Sequence, residues 1–157
     1  HRPNTAGWYE KERLIYDKTN SDGIIGPERN IEKIKNTFRI AILGDSFAEG
    51  IQVDYGKRFS EILEKKLNLC LRKKIEVINF AVSGMSQTRQ ILTYRYKAKK
   101  YNPDLILLLF HDGNDIRDNQ IKFGRNNFIP YYLVSNGELY LDNSFKISAI
   151  GLLRSIE

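Results

Sequence analysis

FRIAILGDSFAEG, residues 38–50, decides how the rest of the chain is read. Phe38 to Leu43 is an apolar run interrupted only by Arg39; it breaks at Gly44, and Asp45 and Ser46 lead into a short segment of small residues. A buried strand that stops at a glycine and turns into a helix start is the entry to a βα unit. Two roles are open to Ser46 on this reading. It is either the N-cap of an ordinary helix or a nucleophile displayed on the helix's first turn.

Two further apolar runs follow, IEVINFAV (75–82) and LILLLF (105–110). Runs with so little polar alternation suit strands buried on both faces, as in a parallel sheet covered by helices. The gaps between them carry helical periodicity. In RFSEILEKKLNLCLR (58–72), Phe59, Ile62, Leu63, Leu67 and Cys70 recur at three- and four-residue steps; Ile91, Leu92, Tyr94, Ala98 and Tyr101 repeat the pattern more weakly between Ser86 and Tyr101, closed by Asn102 and Pro103. Strand, helix, strand, helix, strand predicts an α/β fold of three layers, a parallel sheet between helices, with right-handed crossovers.

The flanking segments are less regular. Residues 1–37 are polar and aromatic without a clear period, and NSDGIIGPER (20–29) reads as surface turns, so this stretch is expected to be an N-terminal extension packed on a domain spanning 38–157. After the third run, YYLV (131–134) and ELYL (138–141) flank Ser135-Asn136-Gly137, a strong hairpin signal. This predicts a small antiparallel insertion over about 128–143, and FKISAIGLLRSI (145–156) reads as the start of a helix.

Composition narrows the class. With 157 residues, 41% hydrophobic and 28% charged, the chain suits one soluble domain with a sizeable core. No apolar run approaches the roughly 18 residues that would cross a bilayer, and no signal-peptide pattern opens the chain. It begins at His1 rather than Met, as a processed or cut protein would, which leaves the compartment open to secreted or extracytoplasmic locations. The single cysteine, Cys70, permits neither an internal disulfide nor a cysteine-based zinc site, and its place on the apolar side of a helix predicts a buried, inert thiol. The net charge is +6, but the basic residues alternate with acids as on solvated helix faces. No zinc-finger spacing, basic zipper or RNA-binding aromatic motif accompanies them, so nucleic acid is not an expected partner.

Ligands of parallel α/β sheets bind at the carboxyl ends of the strands. Here those ends carry Gly44-Asp45-Ser46, Ser83-Gly84-Met85-Ser86 and His111-Asp112-Gly113-Asn114-Asp115, all expected on one rim. Ser46 on a first helical turn would sit among unpaired N–H groups at the positive helix end. Gly84 admits a substrate close to its N–H, and Asn114 offers a neutral NH2 donor, so Ser46 N–H, Gly84 N–H and the Asn114 side chain are candidates for a three-donor oxyanion hole. Each also has a plain reading as cap or turn residue, and Asp45 as a side chain bonded to nearby backbone. Their coincidence after three consecutive strands favours the catalytic one.

ILGDSFAEG, INFAVSGMSQ and LLFHDGNDIRDN resemble, in order, the first three motif blocks of the SGNH, or GDSL-like, esterase and lipase superfamily. The resemblance covers about residues 38–119, and the PYYLVSNGELYLDN stretch is similar to an insert of larger members. It implies a flavodoxin-like α/β fold and hydrolysis of acyl esters, O-acetyl carbohydrates among them, through a covalent acyl-enzyme without metal or organic cofactor. Ser46 would be the nucleophile, with Gly84 and Asn114 as oxyanion donors. The family's fourth block, a DxxH that supplies the base, has no counterpart here. The only histidines are His1 and His111, and His111, directly after an apolar run, reads as a structural strand-end residue. The base is therefore expected beyond residue 157, and the chain by itself is expected to be a poor hydrolase. The alternative is a non-catalytic glycan- or polymer-binding module in which Trp8, Tyr9, Tyr131 and Tyr132 stack on sugars. A nucleotide or phosphate binder is disfavoured, since the first loop has neither GxGxxG nor GxxxxGK[ST].

Overall fold

The computed structural model describes residues 1–71, 73–123 and 128–147. Its elements are β1 (Ala6–Tyr9), β2 (Ile15–Lys18), β3 (Thr37–Leu43), α1 (Ser46–Glu49), α2 (Phe59–Leu71), β4 (Lys74–Asn79), α3 (Gln87–Tyr96), β5 (Leu105–Leu108), α4 (Asp115–Asp118), β6 (Tyr131–Ser135) and β7 (Glu138–Asp142).

Three strands form a parallel sheet in the order β4-β3-β5, with Ile40 of β3 aligned to Val77 on one side and Leu105 on the other. Alternation along β3 divides the core. Ile40 and Ile42 join Ile75, Val77, Ala48 and Ala81 on the face covered by Leu63 and Leu67 of α2. Ala41 and Leu43 join Ile78, Phe80, Ala98 and Tyr101 on the other face, against Tyr94 of α3. The expected α/β arrangement is therefore present as a three-stranded parallel sheet with helices on both faces.

β3 also carries a charge through the core. Arg39 is fully buried; its guanidinium donates to Glu76 Oε2 at 2.6 and 2.9 Å and to the carbonyls of Asn30, Ile31 and Tyr101. A buried charge with that many partners avoids the desolvation penalty an unpaired one would suffer.

The two edges of the sheet differ. Outside β4, side chains of α2 occupy the free backbone groups: Asn68 bonds both Ile75 N–H (2.9 Å) and Ile75 C=O (2.8 Å), and Glu64 Oε2 accepts from Val77 N–H at 2.6 Å. β5 has no such cover among the described residues. Leu105 is 42% exposed and Leu108 53%, which corrects the expectation that this run is buried on both faces. An apolar run reports the strand but not how many neighbours it has.

Other expectations are corrected too. Cys70 is exposed, with Leu69 and Leu71 beside it, because α2 overruns the sheet there: Lys74, where β4 starts, is itself exposed. The N-terminal extension, read with surface turns at 20–29, also holds a pair of strands. β1 and β2 pair antiparallel, and ion pairs Asp17–Arg58 (2.5 Å), Arg29–Glu64 (2.9 Å) and Lys33–Asp104 (2.6 Å) tie the segment to the sheet unit. The second hairpin forms as expected: β6 and β7 pair antiparallel around Asn136 (φ 52°) and Gly137 (φ 80°), the positive angles that a tight two-residue turn requires. Of the helix expected over 145–156, a 3-10 turn is seen at Ser144–Ile147, and the remainder lies outside the described residues.

Candidate active site

The first rim loop answers the question of capping. Asp45, not Ser46, is the N-cap of α1: its Oδ1 accepts from Phe47 N–H at 3.0 Å. Ser46 is the first helical residue and half-buried, and among the described residues neither its hydroxyl nor its N–H is engaged in a hydrogen bond. Gly44 is needed for contact: a Cβ there would lie 2.4 Å from Ala48 Cβ and 3.3 Å from Leu109 Cβ, so any side chain would push α1 off the sheet end. The expected helix is a single turn, closed at Gly50 (φ 66°). With so few aligned peptides, any field at Ser46 comes from its neighbouring N–H groups rather than from a long helix.

In the second loop, Met85 N–H bonds Val82 C=O at 3.2 Å, and Gly84 sits at φ 75°. That is the position of a type II turn where a residue without Cβ is favoured. Gly84 is exposed, a Cβ there would meet nothing within 4 Å, and its N–H has no partner among the described residues. Arg89 Nη1 donates to Gly84 C=O at 3.1 Å and holds the turn from its other side.

The third loop is organised by Asp115, which is fully buried and accepts from His111 N–H at 2.8 Å. Asn114 precedes α4. Its Nδ2 is directed at Asp45 Oδ2 (3.1 Å), Asp115 Oδ1 (3.3 Å) and Asp118 Oδ2 (3.4 Å), and its Oδ1 contacts His111 Nδ1 at 2.8 Å. The NH2 hydrogens are thus shared among carboxylates rather than aimed into open space. The His111 ring stacks on Phe47, with centroids 4.2 Å apart and planes 12° apart, so the expected strand-end histidine lies against the residue after Ser46.

Carboxylates of the GDSFAEG segment join the three loops. Asp45 reaches Asn114 in the third, and Glu49 reaches the second, accepting from Ser83 N–H at 2.8 Å and from the Ser83 hydroxyl. Glu49 is only 3% exposed and also contacts His1 Nε2 at 2.5 Å. Burial pushes the Glu49 carboxyl up, but the hydrogen bonds from His1 and Ser83 outweigh it and leave the group below its ordinary value. The bond to Glu49 raises His1 above its ordinary value, against burial. Sequence reasoning passed over Glu49 and Asn79, whose Nδ2 holds Ala48 C=O at 2.7 Å. The available signal was a lone acid among the small residues Ala48 and Gly50, and a polar residue ending a buried strand.

No protein-family model matches the chain, and no curated protein matches it. What the site can do rests on its own chemistry. Among the described residues the Ser46 hydroxyl and the Ser46 and Gly84 N–H groups are unengaged, on adjoining loops, and the buried Ser86 hydroxyl at the end of the second loop has no partner either. A serine hydroxyl can attack an acyl carbon once a base takes its proton, and N–H groups of this kind can stabilise the tetrahedral oxyanion that forms. Ser46 and Asn114 are half-buried and Gly84 is exposed. No three His, Cys, Asp or Glu side chains among the described residues gather as a metal site.

Proposed function

We propose that this chain carries the nucleophile and oxyanion side of a serine ester hydrolase of the SGNH, or GDSL-like, type. The observation that supports it most is that, among the described residues, the Ser46 hydroxyl and the Ser46 and Gly84 N–H groups are unengaged on loops cross-tied by Asp45–Asn114 and Glu49–Ser83. Ser46 Oγ attacks the acyl carbon and its proton passes to a base; the C–O bond to the alcohol breaks, and the alcohol leaves with that proton. Water then releases the acyl group from Ser46 by the same steps in reverse. Acyl esters are the substrate class, with O-acetylated carbohydrate as the specific member.

The base that this reading requires is a histidine with its aspartate. The apolar β5 edge, with Leu105 and Leu108 exposed, is where further sheet carrying those residues would attach. In a chain extended along its reading frame, Ser46→Ala is expected to abolish hydrolysis of an acetyl ester, and Asn114→Ala to lower turnover by about a hundredfold or more. Turnover retained by Ser46→Ala removes the nucleophile assignment.

One observation favours a second reading, a binding module of the same fold for glycans or other polymers. The Asn114 amide is occupied by carboxylates, and no described residue stands as a base on Ser46. Saccharide binding by an extended chain that does not turn over esters would select it.

A further inference from the structure

A cleft of about 410 Å³ lies between α3 and the β6–β7 hairpin, in the size range of small-ligand sites. Its walls continue directly from the rim: Gln87 and Thr88 follow the Gly84 loop, and Asn119 follows the helix that begins after Asn114.

The polar groups left with spare capacity in this cleft are donors. Gln87 Oε1 accepts from Asn119 Nδ2, while Gln87 Nε2 is buried and has no partner among the described residues. Arg95, two turns along the same face of α3, donates to the Tyr132 hydroxyl at 2.6 Å, and its guanidinium stands 5.9 Å from that ring's centroid. No ion pair among the described residues includes Arg95, and α3 contains no acidic residue. The buried, unpartnered Gln87 NH2 requires an acceptor, the exposed Arg95 guanidinium has donors to spare, and no carboxylate lines the cleft.

The remaining walls are apolar. Ile91 is 44% exposed and Leu139 69%. Tyr132 pairs with Leu141 and Val134 with Leu139, so these four side chains share one face of the hairpin, whose inner end is held to α3 by Tyr132 N–H on Thr88 Oγ1 at 3.3 Å. A ligand that matches has an anionic acceptor at one end and a hydrocarbon body at the other. The guanidinium fork selects a planar carboxylate for that end.

We propose that the cleft between α3 and the β6–β7 hairpin binds an organic carboxylate with an apolar body, its carboxylate on Arg95 and Gln87 and its body against Ile91, Tyr132 and Leu139. Its place beside the rim makes it a substrate subsite, a role that rests on the serine-esterase reading; the binding itself does not.

The test is an NMR titration of the isotope-labelled 157-residue chain with hexanoate and with hexanamide, a neutral molecule of matching shape. Expected are saturable shifts at the Gln87 and Asn119 side-chain amides and the Ile91 and Leu139 methyls, with hexanoate binding about tenfold more tightly than hexanamide. Arg95→Gln should remove that preference, Arg95→Lys should keep part of it, and Lys65→Gln on exposed α2 should leave it unchanged. Equal affinity for the two ligands, an Arg95→Gln variant that keeps the preference, or shifts that do not saturate would each overturn the site. No acyl transfer is involved, so failure here leaves Ser46 reactivity untouched, and an unreactive Ser46 leaves this binding result standing.

Discussion

Asn114 Nδ2 donates to Asp45 Oδ2 across 3.1 Å, joining residues 69 positions apart on loops that leave neighbouring parallel strands. Asp45 is 2% exposed, and its other oxygen caps α1 through Phe47 N–H. One carboxylate therefore sets both the turn that displays Ser46 and the side chain proposed as an oxyanion donor.

That shared role makes the two residues non-additive. Asp45→Ala should destabilise the chain by about 1–3 kcal/mol through the lost cap and the orphaned amide. A double-mutant cycle with Asn114→Ala, read by urea unfolding, should give a coupling of about 0.5–3 kcal/mol. Strict additivity would show that the bond contributes nothing in solution.

Gly84→Ala separates backbone strain from crowding. A Cβ at Gly84 meets no atom within 4 Å, so the cost arises from φ 75° alone. It should be about 1–2 kcal/mol, a fall in Tm of about 2–8 °C. Calorimetry showing an unchanged Tm would mean that the turn relaxes to another conformation.

Arg39→Met leaves the buried Glu76 with only the exposed Lys74, 3.7 Å away, and should cost about 3–5 kcal/mol. The double replacement Arg39→Met with Glu76→Leu should recover much of that loss. Chemical denaturation of both variants checks the prediction; a double variant no better than the single would place the cost in the carbonyls of Asn30, Ile31 and Tyr101 that Arg39 also serves.

The His1–Glu49 contact gives a signed pH dependence. His1 is raised above its ordinary 6.5, so its contribution is complete below that value and is lost as pH rises through the raised one. Glu49 is lowered below its ordinary 4.5, so its contribution is complete above 4.5 and is lost as pH falls through the lowered one. The pair should stabilise most between those two ordinary values. Urea midpoints for the wild type and His1→Gln should differ more at about pH 5.5 than at about pH 8.5; an equal difference at both would assign no ionic role to the contact.

Legibility in the sequence followed the range of the interactions. β3 and β4 were readable from their apolar runs, and the β6–β7 hairpin from Asn136-Gly137, because each depends on residues close in the chain. Asp45 as a tie to Asn114, Arg39 as a buried ion and Glu49 as a tie to Ser83 depend on partners 34 to 69 positions away, which no local pattern displays. The β1–β2 pair escaped for another reason: only Ile15 of its eight residues is buried, so no apolar alternation marks it. The exposed faces of β5 and of α2 around Cys70 show the converse limit, in which apolar residues are present but lack cover.

The most direct test of Ser46 as a nucleophile is intact-mass analysis after treatment with a fluorophosphonate probe. It is applied to the 157-residue chain, to a chain extended along its reading frame, and to the Ser46→Ala version of each. The expected result is one adduct on the extended chain, none on its Ser46→Ala version, and little or none on the 157-residue chain without its base. No adduct on the extended chain, or an adduct that persists in Ser46→Ala, would contradict it.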